Sequence, residues 1–454
     1  MESSHKPLLL TLGLGVFAGA LDLGVLSPAL PALAAAFGVG ARAIAWVFTL
    51  YLLANVVAIP LTTQLADRYG RRPIYILCVA VFAAGSVLSI VAPSFNVFLC
   101  ARAIQAAGAG GIFPVATAAI GDRIPPERRG AALGLVAATW GLAAILGPLV
   151  GGTITHFLSW HWIFAANVPL ALLVIALARV YVPASAAHAR GPLDAAGIGL
   201  LAAGLLATMT ALTQLDARTA TFATNETTLW ALLAAAVCFG LLVPVERRAA
   251  QPVIAPALLR NRQILTTYGL EILIGALEGA LFFIPAALVA AQGMSLVAAG
   301  AIAAVGAVVF VAVIPLAGRA LDAVGSRTVL SVGAALSGGG LLLFALAMQS
   351  PAGAIAAMIV AGVGFGALLG APTRYIVTGE VGEFERATAV GLLSIFLIIG
   401  QILGAALAGG VAGSHPGAFG FVRAYETFAA VAVAAIAVTF FLKSRKDERA
   451  GAVR

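Results

Sequence analysis

Charge is scarce in this sequence. Asp and Glu number 18 and Lys and Arg 26, so charged residues are 10% of 454. An ordinary soluble domain carries about a quarter. A soluble chain of this length would split into two or three domains, each needing a polar shell, and too few charges exist to build them. Hydrophobic residues make up 62% and mean hydropathy is +1.06, which excludes a soluble globular protein and a disordered one. Cysteine is also rare. Cys78, Cys100 and Cys238 all sit inside apolar runs, with neither a disulfide framework nor metal-ligand spacing. The five histidines are scattered. No nucleophile–base pair or metal set is present, so no enzyme is expected, and no metal or cofactor. The phosphate-cradling G-x-x-x-x-G-K-[ST] loop is missing, which argues against ATP as the energy source. The basic residues fall in many short loops rather than one stripe, so nucleic acid is not a partner.

What the sequence has is long apolar runs, such as 74–92 and 428–442. An outer-membrane barrel would show short segments of alternating polarity; these runs are continuous, so the chain spans a membrane as helices. Charges and Pro/Gly turns divide it into fourteen spans: 8–36, 43–66, 74–92, 97–121, 131–155, 162–178, 195–215, 228–245, 264–290, 296–318, 328–348, 352–372, 388–411 and 425–442. His5 and Lys6 precede the first run as in a signal peptide, but the run is about twice the length of a signal's apolar core and Asp22 interrupts it. An uncleaved first span is expected. With both termini in the cytoplasm, 22 of the 26 Lys and Arg fall in cytoplasmic segments, three fall outside and Arg102 lies within a span. That bias supports the span count and the orientation.

Two loops share the pattern D-x-x-G-x-R. Asp67, Gly70 and Arg72 are followed 255 residues later by Asp322, Gly325 and Arg327, each set between the second and third spans of its half. The same offset carries Asp22 to 277, one residue from Glu278, so each half has an acid in its first helix. The chain reads as 1–182, a six-helix bundle; 183–262, a linker with two extra spans; and 263–454, a second six-helix bundle with a basic tail. Repeated halves with a site at their interface are how secondary transporters are built.

Asp22 lies about mid-membrane, where a charged side chain costs on the order of 3 kcal/mol. It is either a packing residue bonded to a neighbour or a carboxyl that changes protonation with water access, which proton coupling needs. Arg102 must face water, an acid or carbonyls; it is a structural member of a polar network or part of the coupling site. Glu271 and Glu278 are two turns apart, about 10 Å, on one face, for substrate or a second proton, unless Glu271 is solvated near the helix end. Tyr51, Asn55, Gln105, Phe282 and Phe283 are candidates for the wall of an amphipathic substrate cavity, or core packing. The extra spans carry no evident chemistry, and packing or lipid contact is their expected role.

These features resemble the major facilitator superfamily, and within it the fourteen-span drug:proton antiporters, over nearly the whole chain. Leu65-Ala66-Asp67-Arg68-Tyr69-Gly70-Arg71-Arg72 matches the loop signature between spans two and three, with Thr63 where the family has Gly. Arg102-Ala103-Ile104-Gln105-Ala106-Ala107-Gly108 matches the fourth-span signature with its Gly displaced by two. Gly141 to Gly152, including Gly147-Pro148-Leu149-Val150-Gly151-Gly152, matches the fifth-span antiporter signature, and Trp160 to Phe164 with Asn167-Val168-Pro169 resembles the sixth-span start.

The resemblance implies a gate at Asp67, Gly70, Arg71 and Arg72, with Asp67 near a C-half helix N-terminus and Arg71 near Asp122. The repeat adds Asp322, Gly325 and Arg327 to it. Arg102 would tune proton release. Gly141, Gly147, Pro148, Gly151 and Gly152 put small residues on one helix face, with a kink at Pro148, which would pack against the other half and seal against leak. The chain is thus expected to be an all-α, multi-pass protein of the inner membrane. It would work as a monomer in the lipid bilayer and export a hydrophobic or amphipathic small molecule in exchange for H+. A lipid or glycolipid transporter is the alternative. The fifth-span signature disfavours an uptake symporter, and the internal repeat disfavours a channel.

Overall fold

A computed structural model describes residues 6–124, 126–184, 194–216, 221–222, 226–249, 252–253, 258–382 and 386–443. Fourteen helical spans cross it. In the N-half they are Lys6–Phe37, Ala41–Tyr69, Arg71–Ile90, Phe95–Arg123, Pro126–Phe157 and His161–Tyr181. The extra pair is Ala195–Thr213 and Glu226–Glu246. In the C-half they are Arg262–Gln292, Leu296–Val324, Ser326–Ala347, Pro351–Gly379, Arg386–Gly413 and Gly417–Thr439. We call these spans 1 to 14. A two-residue antiparallel pairing, Leu215–Asp216 with Thr221–Phe222, joins spans 7 and 8.

Side-chain caps start several helices by accepting from orphan N–H groups. Ser94 accepts from Val97 N, Asp194 from Gly197 N and Asn261 from Gln263 N and Ile264 N. Gly70 (φ 95°) and Gly325 (φ 83°) join consecutive helices of their halves with almost no loop, and that positive φ is cheap only for glycine. The two D-x-x-G-x-R turns therefore share one backbone shape as well as one pattern. The end of the bundle that carries them is here named the basic end.

Spans 1 and 9 break at matched places. Span 1 passes through a 3-10 turn at Ser27–Ala29 that contains Pro28 and is followed by Pro31. Span 9 interrupts at Phe282 and Phe283, ahead of Pro285, whose missing N–H breaks the ladder. Span 12 runs beyond its expected end because Pro372 starts a second short helix, Pro372–Gly379, after a bend.

The largest core cluster lies towards the end opposite the basic loops and joins both halves. It includes Leu26, Phe48, Phe98 and Phe164 from the first half and Leu277, Phe283, Phe344 and Tyr425 from the second. Span 7 packs on spans 2 and 13. Leu201, Leu205 and Met209 share a cluster with Leu52, Val56, Leu392 and Ile402. Span 8 turns Leu229, Trp230 and Leu233 outward, each more than half exposed.

Candidate functional site

The N-half site is built around Asp22, which is completely buried in an apolar helix. Its Oδ2 meets Arg102 Nη1 at 2.7 Å, and both side chains have no exposure. Its Oδ1 accepts from Gln105 Nε2 and from Asn167 Nδ2, both at 2.9 Å. Gln105 Nε2 also donates to Ser86 Oγ at 2.8 Å, and Gln105 Oε1 accepts from Arg102 Nη1 at 2.6 Å. The guanidinium lies 4.3 Å from the Tyr51 ring centroid and 5.5 Å from that of Phe164. Four helices, spans 1, 3, 4 and 6, thus hold one carboxylate, and span 2 supplies an aromatic face to the cation. Gly85 permits this, since a Cβ there would lie 2.4 Å from Gln105 N.

Burying both charges is tolerable because each is paired and the carboxylate accepts three hydrogen bonds. Arg102 Nε and Nη2 have no hydrogen-bond partner in the site. The guanidinium is therefore only part-satisfied, which leaves capacity to rearrange.

The C-half site is chemically different. Glu278 is part-exposed and accepts from Gln401 Nε2 at 2.8 Å. Among the described residues no cation pairs with it. Glu271, two turns nearer the basic end, is 5% exposed. It lines a water-sized cavity with Thr373, Arg374 and Ser394, beside the bend of span 12.

The halves meet at the end opposite the basic loops. Ser27 Oγ donates to the Phe282 carbonyl at 2.6 Å, an oxygen that the break in span 9 releases from the helix ladder. Phe48 stacks on Phe282 with centroids 4.5 Å apart and meets Phe283 edge-on at 6.2 Å. Glycines bring backbones together around this plug. A Cβ on Gly300 would stand 2.3 Å from Pro148 O, and one on Gly409 2.2 Å from Ala45 Cβ.

At the basic end Arg71 is ion-paired to Asp67 and to Asp122, the latter at 3.1 Å. It ties the ends of spans 2 and 4 to the start of span 3.

Several candidate residues lie away from an open cavity wall. Tyr51 and Gln105, candidates for a cavity wall or for core packing, are fully buried inside the Asp22 network, because the buried carboxylate and guanidinium recruit the nearest polar and aromatic groups. Phe283 is buried in the plug, while Phe282 and Asn55 keep partial exposure. Arg102 faces an acid, one of the three surroundings expected for it. Asp67 pairs with Arg71 in its own half, and the side chains of the first turn of span 13 lie outside the described residues.

The span-5 glycines divide between two faces. Gly147 and Gly151 pack on Gly24 and Val25 of span 1, in the same half, whereas Gly141 and Gly152 face Val311 and Leu296 of span 10. The helix runs unbroken through Pro148. In the second loop Gly325 repeats the Gly70 backbone, and Arg327 caps the Phe440 ring at 4.8 Å. Asp322 precedes it in the last turn of span 10 and Arg72 follows Gly70, part-exposed.

Ser86, Asn167, Ser27 and Gln401 are absent from the sequence-based site. The available signal was a lone amide or hydroxyl within an apolar run, which is clearest for Gln401.

The family model described as Major Facilitator Superfamily matches residues 12–291 and 264–453. The chain belongs to this superfamily. Among curated relatives it is 34% identical over 422 residues to an uncharacterised MFS-type transporter, YfiU, of Bacillus subtilis (90% of this chain, 80% of that one). It is 33% identical to multidrug resistance protein 3 of the same organism (66% and 58%) and 28% identical to its multidrug transporter protein MdtP (92% and 77%). Of the solved structures, the nucleoside transporter NupG (D323A mutant) superposes with a TM-score of 0.69 over 96% of this chain and 100% of that one, at 16% identity, a likeness of fold alone. The protein is a multi-pass membrane transporter of the major facilitator superfamily.

Proposed function

We propose that the protein exports hydrophobic or amphipathic small molecules in exchange for protons. The observation that carries this reading is the pair of unlike acid sites on the first helices of the two halves. Asp22 is sealed and charge-compensated by Arg102, whereas Glu278 is part-exposed and held by a neutral amide. The two helices meet at Ser27 and Phe282. Rocking one half against the other would therefore move both acids' surroundings together, as alternating access requires. The multidrug names of two relatives support outward transport of apolar compounds. The loop-charge bias supports a cytoplasmic basic end.

In the cycle, substrate arrives from the cytoplasm or inner leaflet of the cytoplasmic membrane and displaces protons from Asp22 or Glu278. It leaves on the far side, where protons rebind. Glu271 extends the polar path of span 9 towards the basic end. Phe282 and Asn55, both part-exposed, remain substrate-contact candidates. The loops at Asp67–Arg72 and Asp322–Arg327, with Asp122, act as the latch, and the small residues of span 5 limit leak along the seam. One proton falling through about 150 mV supplies roughly 3.5 kcal/mol, enough for a gradient of about 300-fold in a neutral substrate. The coupling ion is H+ and no other cofactor is required. One chain holds both halves, so the unit of function is the monomer.

Proton movement in proteoliposomes on adding lipophilic cations, neutral drugs or fluorescent lipids tests the proposal. Drug-driven proton release that Asp22→Asn or Glu278→Gln abolishes is the expected result. Lipid movement between leaflets, with no drug-linked proton flux, would overturn it and favour a lipid transporter.

A further inference from the structure

At the basic end of the C-half, the ends of spans 9, 12 and 14 line an open cavity of about 400 Å³, within the size range of ligand sites. One wall is polar. Lys443 Nζ is ion-paired to the Glu380 carboxylate, Asn261 Nδ2 donates to Glu380 Oε2 at 3.2 Å, and Lys443 N donates to Gln263 Oε1 at 3.2 Å. Glu380 is thereby neutralised. Arg262, which is exposed and in no ion pair among the described residues, leaves the cavity net positive. It is the first residue of a 20-residue helix, whose amino end adds partial positive charge.

The other wall is aromatic. Phe440 and Phe441 are 60% and 62% exposed at the point where span 14 ends and the polar tail begins, the level at which amphipathic rings sit in a membrane. A cationic wall beside an apolar one fits a molecule with an anionic head and a hydrocarbon body.

We propose that this cavity binds the headgroup of an anionic phospholipid, with the phosphate on Arg262 and the acyl chains along Phe440 and Phe441. Guanidinium and phosphate match in bidentate geometry. The chain's own tail is a poor occupant, because Arg445, Lys446, Arg449 and Arg454 outnumber Asp447 and Glu448. It repels the cavity and adds to the attraction for an anionic leaflet. The site does not depend on the direction of transport or on its coupling ion.

Native mass spectrometry of the full-length protein, delipidated and then offered phosphatidylglycerol or phosphatidylcholine, tests the inference. The wild type is expected to retain phosphatidylglycerol preferentially, unaffected by inorganic phosphate. Arg262→Gln weakens retention about fivefold, and Lys443→Gln, which uncompensates Glu380, weakens it at least as much. Glu380→Gln acts in the opposite direction and strengthens it. Equal retention of the two lipids, indifference to all three substitutions, or displacement by inorganic phosphate would each overturn the lipid assignment, the last in favour of a soluble phosphate.

Discussion

Asp22 and Arg102 stand 80 residues apart and meet at 2.7 Å with no exposure. Each was legible as a costly charge in an apolar helix, and so as half of something, but the sequence does not say that each is the other's partner. Ser86 and Asn167 were not legible at all, since a single hydroxyl or amide is ordinary in a membrane helix and only the fold reveals that Asn167 donates to the carboxylate and that Ser86 accepts from the Gln105 amide that also holds it. The pairing makes a sharp expectation. Asp22→Asn preserves an acceptor for Gln105 and Asn167 but leaves the Arg102 charge buried without an anion. Arg102→Gln strands Asp22 in the same way. Each single change should cost about 3–5 kcal/mol of stability. The double change Asp22→Asn with Arg102→Gln should recover most of that loss, because no buried charge is left uncompensated. Proton movement should stay absent in all three. Thermal unfolding of the purified variants beside proton flux in proteoliposomes reads both quantities. A double variant as unstable as the sum of the singles would mean that the two charges are not a stabilising pair.

Span 5 shows how far element-level reading reaches. Its run of small residues was evident, and so was its role in close packing, but a list of glycines does not disclose which neighbour each one meets. Gly147 and Gly151, four apart, form one ridge against span 1, and Gly141 and Gly152 lie on another against span 10. The helix therefore acts as a spacer, joined tightly to its own half on one side and touching the opposite half on the other. Gly151 and Gly141 should respond differently to a single methyl group. A Cβ on Gly151 would stand 2.0 Å from the Val25 carbonyl oxygen, whereas one on Gly141 would meet only Val311 Cγ2, at 3.3 Å. Gly151→Ala should thus force spans 1 and 5 apart at a cost of about 1–3 kcal/mol and disturb the helix that holds Asp22. Gly141→Ala should leave stability nearly unchanged, since a rotamer shift of Val311 relieves it. Thermal unfolding of the two variants separates these outcomes, and equal losses would mean that Val311 cannot yield to a methyl group at Gly141.

At the scale of the molecule the 255-residue repeat was legible and the state of the seam was not. The repeat puts Asp67–Arg72 and Asp322–Arg327 in register, and the structure adds that Gly70 and Gly325 adopt the same backbone angles. The same offset relates Ser27 to Phe282, which are in contact, so the symmetry axis between the halves passes close to that hydrogen bond. Which end of the seam is packed lies beyond any sequence pattern, because forms open at either end share one sequence and differ by a few kcal/mol. In the form described the packed end is the one away from the basic loops. A covalent lock placed there should therefore stop transport while leaving the fold intact. Arg42 at the start of span 2 and Gly413 at the end of span 13 suit this, since a Cβ built on Gly413 lies 2.8 Å from Arg42 Cβ and a separation of about 1 Å more reaches the range a disulfide favours. With Cys78, Cys100 and Cys238 replaced, Arg42→Cys with Gly413→Cys should cross-link on oxidation, lose export, and regain it on reduction. If this end never opened during turnover, the cross-linked protein would transport as fast as the reduced one, and alternating access across this seam would have to be given up.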